Sequence, residues 1–318
     1  AEPNPDGSYR ITGTKIFISA GEHDLAENIV HLVLARLPQA PAGTKGISLF
    51  LVPKWIGQNR NAVMCGAIEE KMGIHGASTC VMHFENATGF LIGPQNDGMR
   101  CMFTMMNGAR LIVGVQALSG MEMGYQASLS YAKERLQMRA LSGPTVPEME
   151  ADPIIVHPDV RRMLMTQKAL VEGSRALTYM AAKLADTVNF GPPDERDRAG
   201  QLLDFLTPIV KGFITEVGFE AVNHAVQIFG GHGYIRESGI EQLVRDARIT
   251  MIYEGTTQIQ ALDLLGRKVL MNQGVALMDF LELVNDEAAA SDYPELGEIA
   301  TRWAEVSSEL GRLAVVDA

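Results

Sequence analysis

The sequence predicts a multi-domain α+β protein, with an antiparallel β barrel or sandwich over residues 1–95 and an antiparallel helical bundle over residues 96–318. Three observations carry this prediction. Up to Gly93, short runs rich in β-branched and aromatic residues alternate with Gly, Pro, Asn and Asp, the pattern of half-buried strands joined by turns. Beyond Gly98 the apolar period lengthens to that of a helix and stays there. The long helical stretches are then interrupted at Ser142–Pro158, at Gly191–Asp197 and at Gly230-Gly231, breaks that suit antiparallel neighbours in a bundle.

Taken in order, Asp6-Gly7 reads as a turn, and Ser8 to Ser19 as a strand in which Gly13 marks a turn or bulge. Asn28 to Arg36 reads as a more buried strand, Pro38 to Gly46 as a loop, and Gly46 to Pro53 as a strand closed by its proline. Further strands are expected near Ala62–Met72 and Cys80–Phe84, with Gly89–Gly93 completing the sheet region. Met102 to Gln137 is the first amphipathic helix, and its many methionines are read as adaptable core packing. Helices follow over about Asp159–Asn189 and Ala199–Phe229, the second stopped by Gly230-Gly231. A short helix at Ile240–Ile249, a longer one at Thr256–Met271, and two more at Val275–Asn285 and Leu296–Leu313 complete the pattern. Residue 1 is Ala rather than Met, and the chain stops at Val315-Val316-Asp317-Ala318 inside a helical pattern, so a longer parent polypeptide is expected.

With 318 residues, 47% of them hydrophobic, the chain can bury a sizeable core. A formal charge of -11 argues against nucleic acid or an anionic membrane surface as partner. It leaves room for an anionic ligand held by local arginines. Three cysteines without CxxC spacing favour neither a disulfide framework nor zinc, and suit a reducing cytoplasm. The apolar runs are broken by polar residues, so no membrane span is expected. The histidines form no HxxxH or HExxH pattern, so no metal site is expected. Gly230-Gly231-His232-Gly233-Tyr234 follows a helix and lacks the spacing of either glycine-rich nucleotide loop.

The stretch Met251 to Gln260 carries the strongest chemical signal. Glu254 sits between the apolar-aromatic run Met251-Ile252-Tyr253 and Gly255, where loss of hydration favours the protonated carboxyl, as a base working near neutral pH requires. Gly255 permits close approach of backbone to a ligand, and Thr256 or Thr257 can cap the following helix. The alternative is a solvated loop carboxylate. Glu134 to Arg139 ends the first helix with two guanidinium groups, suited to phosphate or simply to surface salt bridges. Asn107 and Arg110 share one helical face. Gln227 lies one turn before the glycine stop and offers its amide to a ligand there, the plain reading being a helix cap.

Three segments in this order, Gln227 to Tyr234, Arg245-Asp246-Ala247-Arg248, and Ile252-Tyr253-Glu254-Gly255-Thr256 with Gln258-Ile259-Gln260, resemble the acyl-CoA dehydrogenase family over nearly the whole chain. Lys71 to Gly76, Met102 to Arg110, Ile154 to Arg162 and Gln260 to Lys268 are most similar to the branch named for 3-methylmercaptopropionyl-CoA dehydrogenase. The resemblance implies the family's middle β domain and much of its C-terminal helical domain, with an N-terminal helical domain expected ahead of residue 1. It implies FAD-dependent α,β-dehydrogenation of an acyl-CoA thioester to a trans-2-enoyl-CoA, with Glu254 as the base that takes the α-proton. By position, it implies FAD contacts at Phe17, Ile18, Ser19, Arg135, Gln137, Gln227, Gly230, Gly231, Thr256 and Gln258. Substrate contacts are implied at Asn107, Arg110, Tyr253 and Gly255. Phe17 stands where many relatives have Trp, and Asn107 where an Asp is common. Implied partners are an acyl-CoA, an electron-transfer flavoprotein as acceptor, and further copies of the chain in a homodimer or homotetramer. An acyl-CoA oxidase, which shares the base and flavin but lets O2 reoxidise the cofactor, is the enzymatic alternative, and a catalytically incomplete helical assembly scaffold is the non-enzymatic one.

Overall fold

Alternating apolar residues set the β region, which a computed structural model describes together with the rest of residues 1–316; Asp317 and Ala318, from the last predicted helical pattern, lie outside the described residues. The strands are β1 (Glu2–Pro3), β2 (Tyr9–Ser19), β3 (Val30–Arg36), β4 (Ile47–Pro53), β5 (Trp55–Ile56), β6 (Asn59–Arg60), β7 (Val63–Ile68) and β8 (Thr79–Ile92). β8 is the hub. Its first part pairs antiparallel with β2, from Ser19↔Thr79 to Tyr9↔Gly89, and with β7, from Ile68↔Cys80 to Val63↔Phe84. Its last residues pair with β4, from Leu51↔Phe90 to Leu49↔Ile92, and β4 in turn pairs with β3. The order β1-β2-β8-β4-β3 curls toward a barrel, since Lys15 Nζ on β2 donates to the Leu34 carbonyl on β3 at 2.9 Å. Ile11, Val33, Phe50, Val52, Met82 and Phe84 fill the inside, each contributing about 1.5–3 kcal/mol by leaving water.

The sequence reading stops one strand at Phe84 and starts the next segment at Gly89, whereas the structure runs on through Glu85-Asn86. Opposite that pair the β2 register slips between Ile11 and Gly13. The Thr12 hydroxyl then donates to Asn86 Oδ1 at 3.3 Å and accepts from the Asn86 N–H at 3.2 Å. The polar pair is absorbed as a bulge instead of ending the strand. The β5–β6 hairpin, too short to show a period, turns at Gly57 with φ 58° and places the Arg60 guanidinium 5.2 Å from the Trp55 ring centre.

The helices are α1 (Gly98–Glu134), α2 (Pro158–Phe190), α3 (Pro193–Phe229), α4 (Gly231–Tyr234), α5 (Ile240–Arg248), α6 (Thr257–Asp263), α7 (Val275–Ala290) and α8 (Pro294–Val316). By contact density the chain forms two compact units, Ala1–Gly108 and the remainder from Ala109. The second unit is built on α3, whose Val210, Ile214 and Ala221 pack with Leu118 and Met121 of α1 and Val171 of α2. Gly218 permits this closeness, because a Cβ there would stand 3.2 Å from that of Ala117. On its other side Phe205 and Leu206 meet Leu277 of α7.

Several helix ends differ from expectation: α6 stops at Asp263 instead of Met271, with a wider π-helical turn over Leu264–Lys268, α7 runs on to Ala290 instead of Asn285, and two others have a local cause. α3 begins at Pro193 rather than near Ala199, because proline is favourable at the first helical position and Asp194 and Glu195 complement the helix dipole. α1 stops at Glu134, so Arg135 to Arg139 are not helical. Here the Ile154, Gln137 and Asp152 N–H groups bond to the carbonyls of Arg135, Asp152 and Met138, a strand-like pairing that replaces the next helical turn. α1 is also, by length and composition, apolar enough to cross a membrane. In this structure Val113, Ala117, Leu118 and Met121 of α1 are buried core residues.

Candidate active site

Gly230 ends α3 with φ 58° and ψ -136°, a conformation open to glycine, and its N–H returns to the Gln227 carbonyl at 3.1 Å. At Gly230 and Gly231 an added Cβ would meet no atom within 4 Å, so bare backbone faces open space. Beside it lies a cavity of about 490 Å³ that Arg135, Gln137, Gln227, Gly230 and Gly231 all line. The sequence reading places all five, from two separate stretches, among its implied FAD contacts. It missed Tyr131, which stacks on Phe229 with centroids 4.1 Å apart and meets His232 Nδ1 through its hydroxyl at 2.7 Å. Arg135 forms no ion pair among the described residues, which leaves its guanidinium for an anion.

Asp152 holds the non-helical wall of this cavity. Burial alone would raise its pKa. The Ala140 and Val146 N–H groups, and the N–H and side chain of Thr145, outweigh that and hold the carboxyl well below the usual range. Arg139 adds a contact at 3.3 Å.

The Glu254 loop is a second construction. α5 runs into a turn at Ile249–Met251 anchored by buried Thr250, whose hydroxyl donates to the Ala247 carbonyl at 2.7 Å. Glu254 and Gly255 then adopt φ 56° and 92° in succession. For glutamate this conformation costs about 1–3 kcal/mol and persists where the surroundings impose it. The surroundings are three side chains from three helices. Arg110 Nε on α1 and Gln260 Nε2 on α6 donate to the Glu254 carbonyl at 3.4 and 3.2 Å. Lys211 Nζ on α3 donates to the Gly255 carbonyl at 2.6 Å, joined by Gln260 at 3.2 Å. Arg110 Nη1 also pairs with Asp263 Oδ2 at 2.8 Å, both side chains being buried.

The Glu254 carboxylate itself is the exception to this bonding, for its Oε2 is buried without a hydrogen-bond partner among the described residues. An oxygen so placed lacks the donors that usually satisfy a buried carboxylate. Tyr253 donates its hydroxyl to Gln116 Oε1. Burial pushes that phenol up, the Gln116 bond opposes, and the Glu254 charge adds to the rise. The Thr256 hydroxyl accepts from the Ile259 N–H at 3.4 Å and caps α6, while Thr257 turns to Glu216 at 2.6 Å. Gln258 is exposed. Asn107 is half-buried on α1, one helical turn before Arg110.

In the β unit, Phe17 occupies the irregularity of β2 between Lys15 and Ile18, with φ 57° and 68% exposure. A bulky residue in this conformation is uncommon, and here it turns an aromatic ring outward. Ile18 and Ser19 line a groove of about 520 Å³ with Ala20, His31 and Met105.

Family models match most of the chain. The acyl-CoA dehydrogenase middle domain covers residues 1–87, and the acyl-CoA dehydrogenase C-terminal domain covers residues 96–270. The chain belongs to the acyl-CoA dehydrogenase family. It is 48% identical over 315 residues to 3-methylmercaptopropionyl-CoA dehydrogenase of Ruegeria pomeroyi, covering 97% of this chain and 53% of that protein. It is 41% identical over 289 residues to the broad-specificity linear acyl-CoA dehydrogenase FadE5 of Mycobacterium tuberculosis, covering 86% and 47%. Among solved structures, Caenorhabditis elegans ACDH-11 in complex with C11-CoA superposes with a TM-score of 0.81 at 25% identity, over 98% of this chain and 50% of that one. The chain therefore spans about half the length of the curated acyl-CoA dehydrogenases it matches. Lys211, Gln116, Asp263 and Gln260 are the residues of the Glu254 surroundings whose role the sequence reading missed, Gln260 having entered it only as part of the family motif. A signal was present for Lys211, the single charge in the apolar run Leu206 to Ile214.

Proposed function

We propose that the full-length protein is an FAD-dependent acyl-CoA dehydrogenase in which Glu254 removes the α-proton of the thioester, leaving a trans-2-enoyl-CoA. The observation that carries this reading is the buried, unpartnered Oε2 of Glu254 on a turn pinned by Arg110, Lys211 and Gln260. An oxygen with no donor already on it is open to the α-proton, and a pinned backbone keeps it from swinging away during transfer. Tyr253 and Gly255 border the thioester. Arg110 acts on the substrate side through the loop it braces, with Asn107 on the same helix.

The donor set around the α3 end fits FAD. Arg135 offers a free guanidinium for phosphate oxygens, Gln137 and Gln227 offer amides, and Gly230-Gly231 offers backbone without side chains. Thr256 and Gln258 after the base, and Phe17, Ile18 and Ser19 in the β unit, complete the proposed contacts. FAD, when bound, supplies the acceptor for the hydride that leaves the β-carbon. An electron-transfer flavoprotein takes the electrons onward, and the working form is a homodimer or homotetramer.

The test is anaerobic mixing of the full-length, flavin-loaded protein with butanoyl-, octanoyl-, palmitoyl- and 3-(methylthio)propanoyl-CoA while the visible flavin band is followed. Bleaching by at least one thioester is expected, and none with any of the four sinks the reading. Glu254→Gln is expected to keep flavin and thioester binding while slowing bleaching by about 100- to 10,000-fold.

A further inference from the structure

Lys211 lies in the middle of α3 with 0% of its surface exposed. Its ammonium group has three N–H donors, yet among the described residues its single hydrogen-bond acceptor is the Gly255 carbonyl at 2.6 Å. The charged groups facing it are Arg110 of α1, Glu216 of its own helix, and Glu254 of the loop, while Asp263 of α6 is taken up by Arg110. A methionine of similar volume would fill this part of the core without the cost of burying an ammonium group. What the nitrogen adds is therefore found in what it touches, the residue that follows Glu254.

We propose that Lys211 is a positioning residue for the reaction, its buried ammonium holding the Gly255 carbonyl and so fixing the orientation of the Glu254 carboxylate. This rests on the dehydrogenase reading above. The bond locks the second of the two left-handed residues, and the positive charge faces the Glu254 carboxylate of the same loop. Burial, reinforced by Arg110, lowers the Lys211 pKa to about 8, with Glu216 and Glu254 opposing. The sign follows. Below that pH the ammonium holds the turn, and above it the lone amine holds Gly255 more weakly, so activity falls on the alkaline side near pH 8.

The experiment compares wild type, Lys211→Met and Lys211→Arg in the full-length flavin-loaded protein, by rapid-mixing flavin bleaching with butanoyl-CoA and 3-(methylthio)propanoyl-CoA between pH 6 and 10. Lys211→Met is expected to slow bleaching about 10- to 100-fold, the loss of one charge-assisted hydrogen bond, with thioester affinity and flavin content unchanged. Lys211→Arg, which keeps its charge throughout, is expected to regain most of the rate and to lack the alkaline fall. Wild-type rates in Lys211→Met, or an unchanged alkaline fall in Lys211→Arg, overturn the proposal. Should Lys211→Met fail to fold, the Lys211→Arg profile decides alone. If no thioester bleaches the wild type, the dehydrogenase reading fails separately. An infrared titration of the Glu254 carboxyl, assigned by its loss in Glu254→Gln, then decides on Lys211: a band that shifts above about pH 8 in wild type but not in Lys211→Arg supports it, and the same course with pH in both proteins overturns it.

Discussion

Removing Asp263 strands the charge that braces the Glu254 loop, and its effect can be worked out from the two arginines it binds. Arg110 reaches Oδ2 at 2.8 Å, with 6% of the arginine side chain and 4% of the aspartate side chain exposed. Arg267 reaches Oδ1 at 2.5 and 2.9 Å, but 59% of its side chain is in water. Solvent screens the second pair, so Arg267→Ala is expected to cost less than about 1 kcal/mol. The first pair is dry. Asp263→Ala leaves the Arg110 cation buried without its carboxylate, at a cost of about 3–5 kcal/mol. At about 2–4 °C per kcal/mol for a unit of this size, the helical transition should fall by about 6–20 °C. Replacing both partners, as Arg110→Met with Asp263→Leu, should recover most of the loss. Thermal and urea unfolding followed by circular dichroism read all three. Equal losses for Arg267→Ala and Asp263→Ala, or a loss below about 1 kcal/mol for the latter, would refute the reasoning.

Two further changes probe the site's framework. Asp152 has a depressed pKa in the folded chain, so its contribution is complete above about pH 4 and fades as the pH falls below that value. Hydrogen exchange over residues 139–152 should therefore stay slow from pH 7 down to about 4, whereas Asp152→Asn should exchange fast even at pH 7; equal protection in the two proteins would contradict this. Gly255→Ala places a Cβ 2.7 Å from Gln260 Nε2 on a residue with φ 92°. It should cost about 1–3 kcal/mol in unfolding free energy, and a neutral result would show that the turn relaxes freely.

What the sequence disclosed depended on how local its cause was. The stop at Gly230 was legible because a glycine's freedom at positive φ resides in that residue. The cavity beside it was legible as a set of residues, although the end of α1 was misplaced by several positions. That end is set by Asp152, whose hold on Ala140, Thr145 and Val146 crosses a loop with no periodic signal. Glu254 was legible as a suspicious carboxylate, yet its left-handed backbone was not, since Arg110, Lys211 and Gln260 arrive from three helices. A lysine in an apolar run looks the same in sequence whether it reaches water or a buried carbonyl. β8 reads as two segments because its apolar pattern lapses between Phe84 and Gly89, and what carries the strand through is Thr12 on β2.

The hub position of β8 bears on how the β unit comes into being. A ribosome delivers residues in order, and β3 and β4 can zip into a hairpin as soon as Pro53 is out. β2 has to wait. Its partner, from Thr79 to Gly89, emerges some seventy positions later, and β7 and the far edge of β4 wait for the same strand. Pairings of such long sequence separation make folding slow, and unpaired strand edges left exposed meanwhile invite association with other chains. Completion of the β unit is thus a single late event, triggered when its last strand arrives.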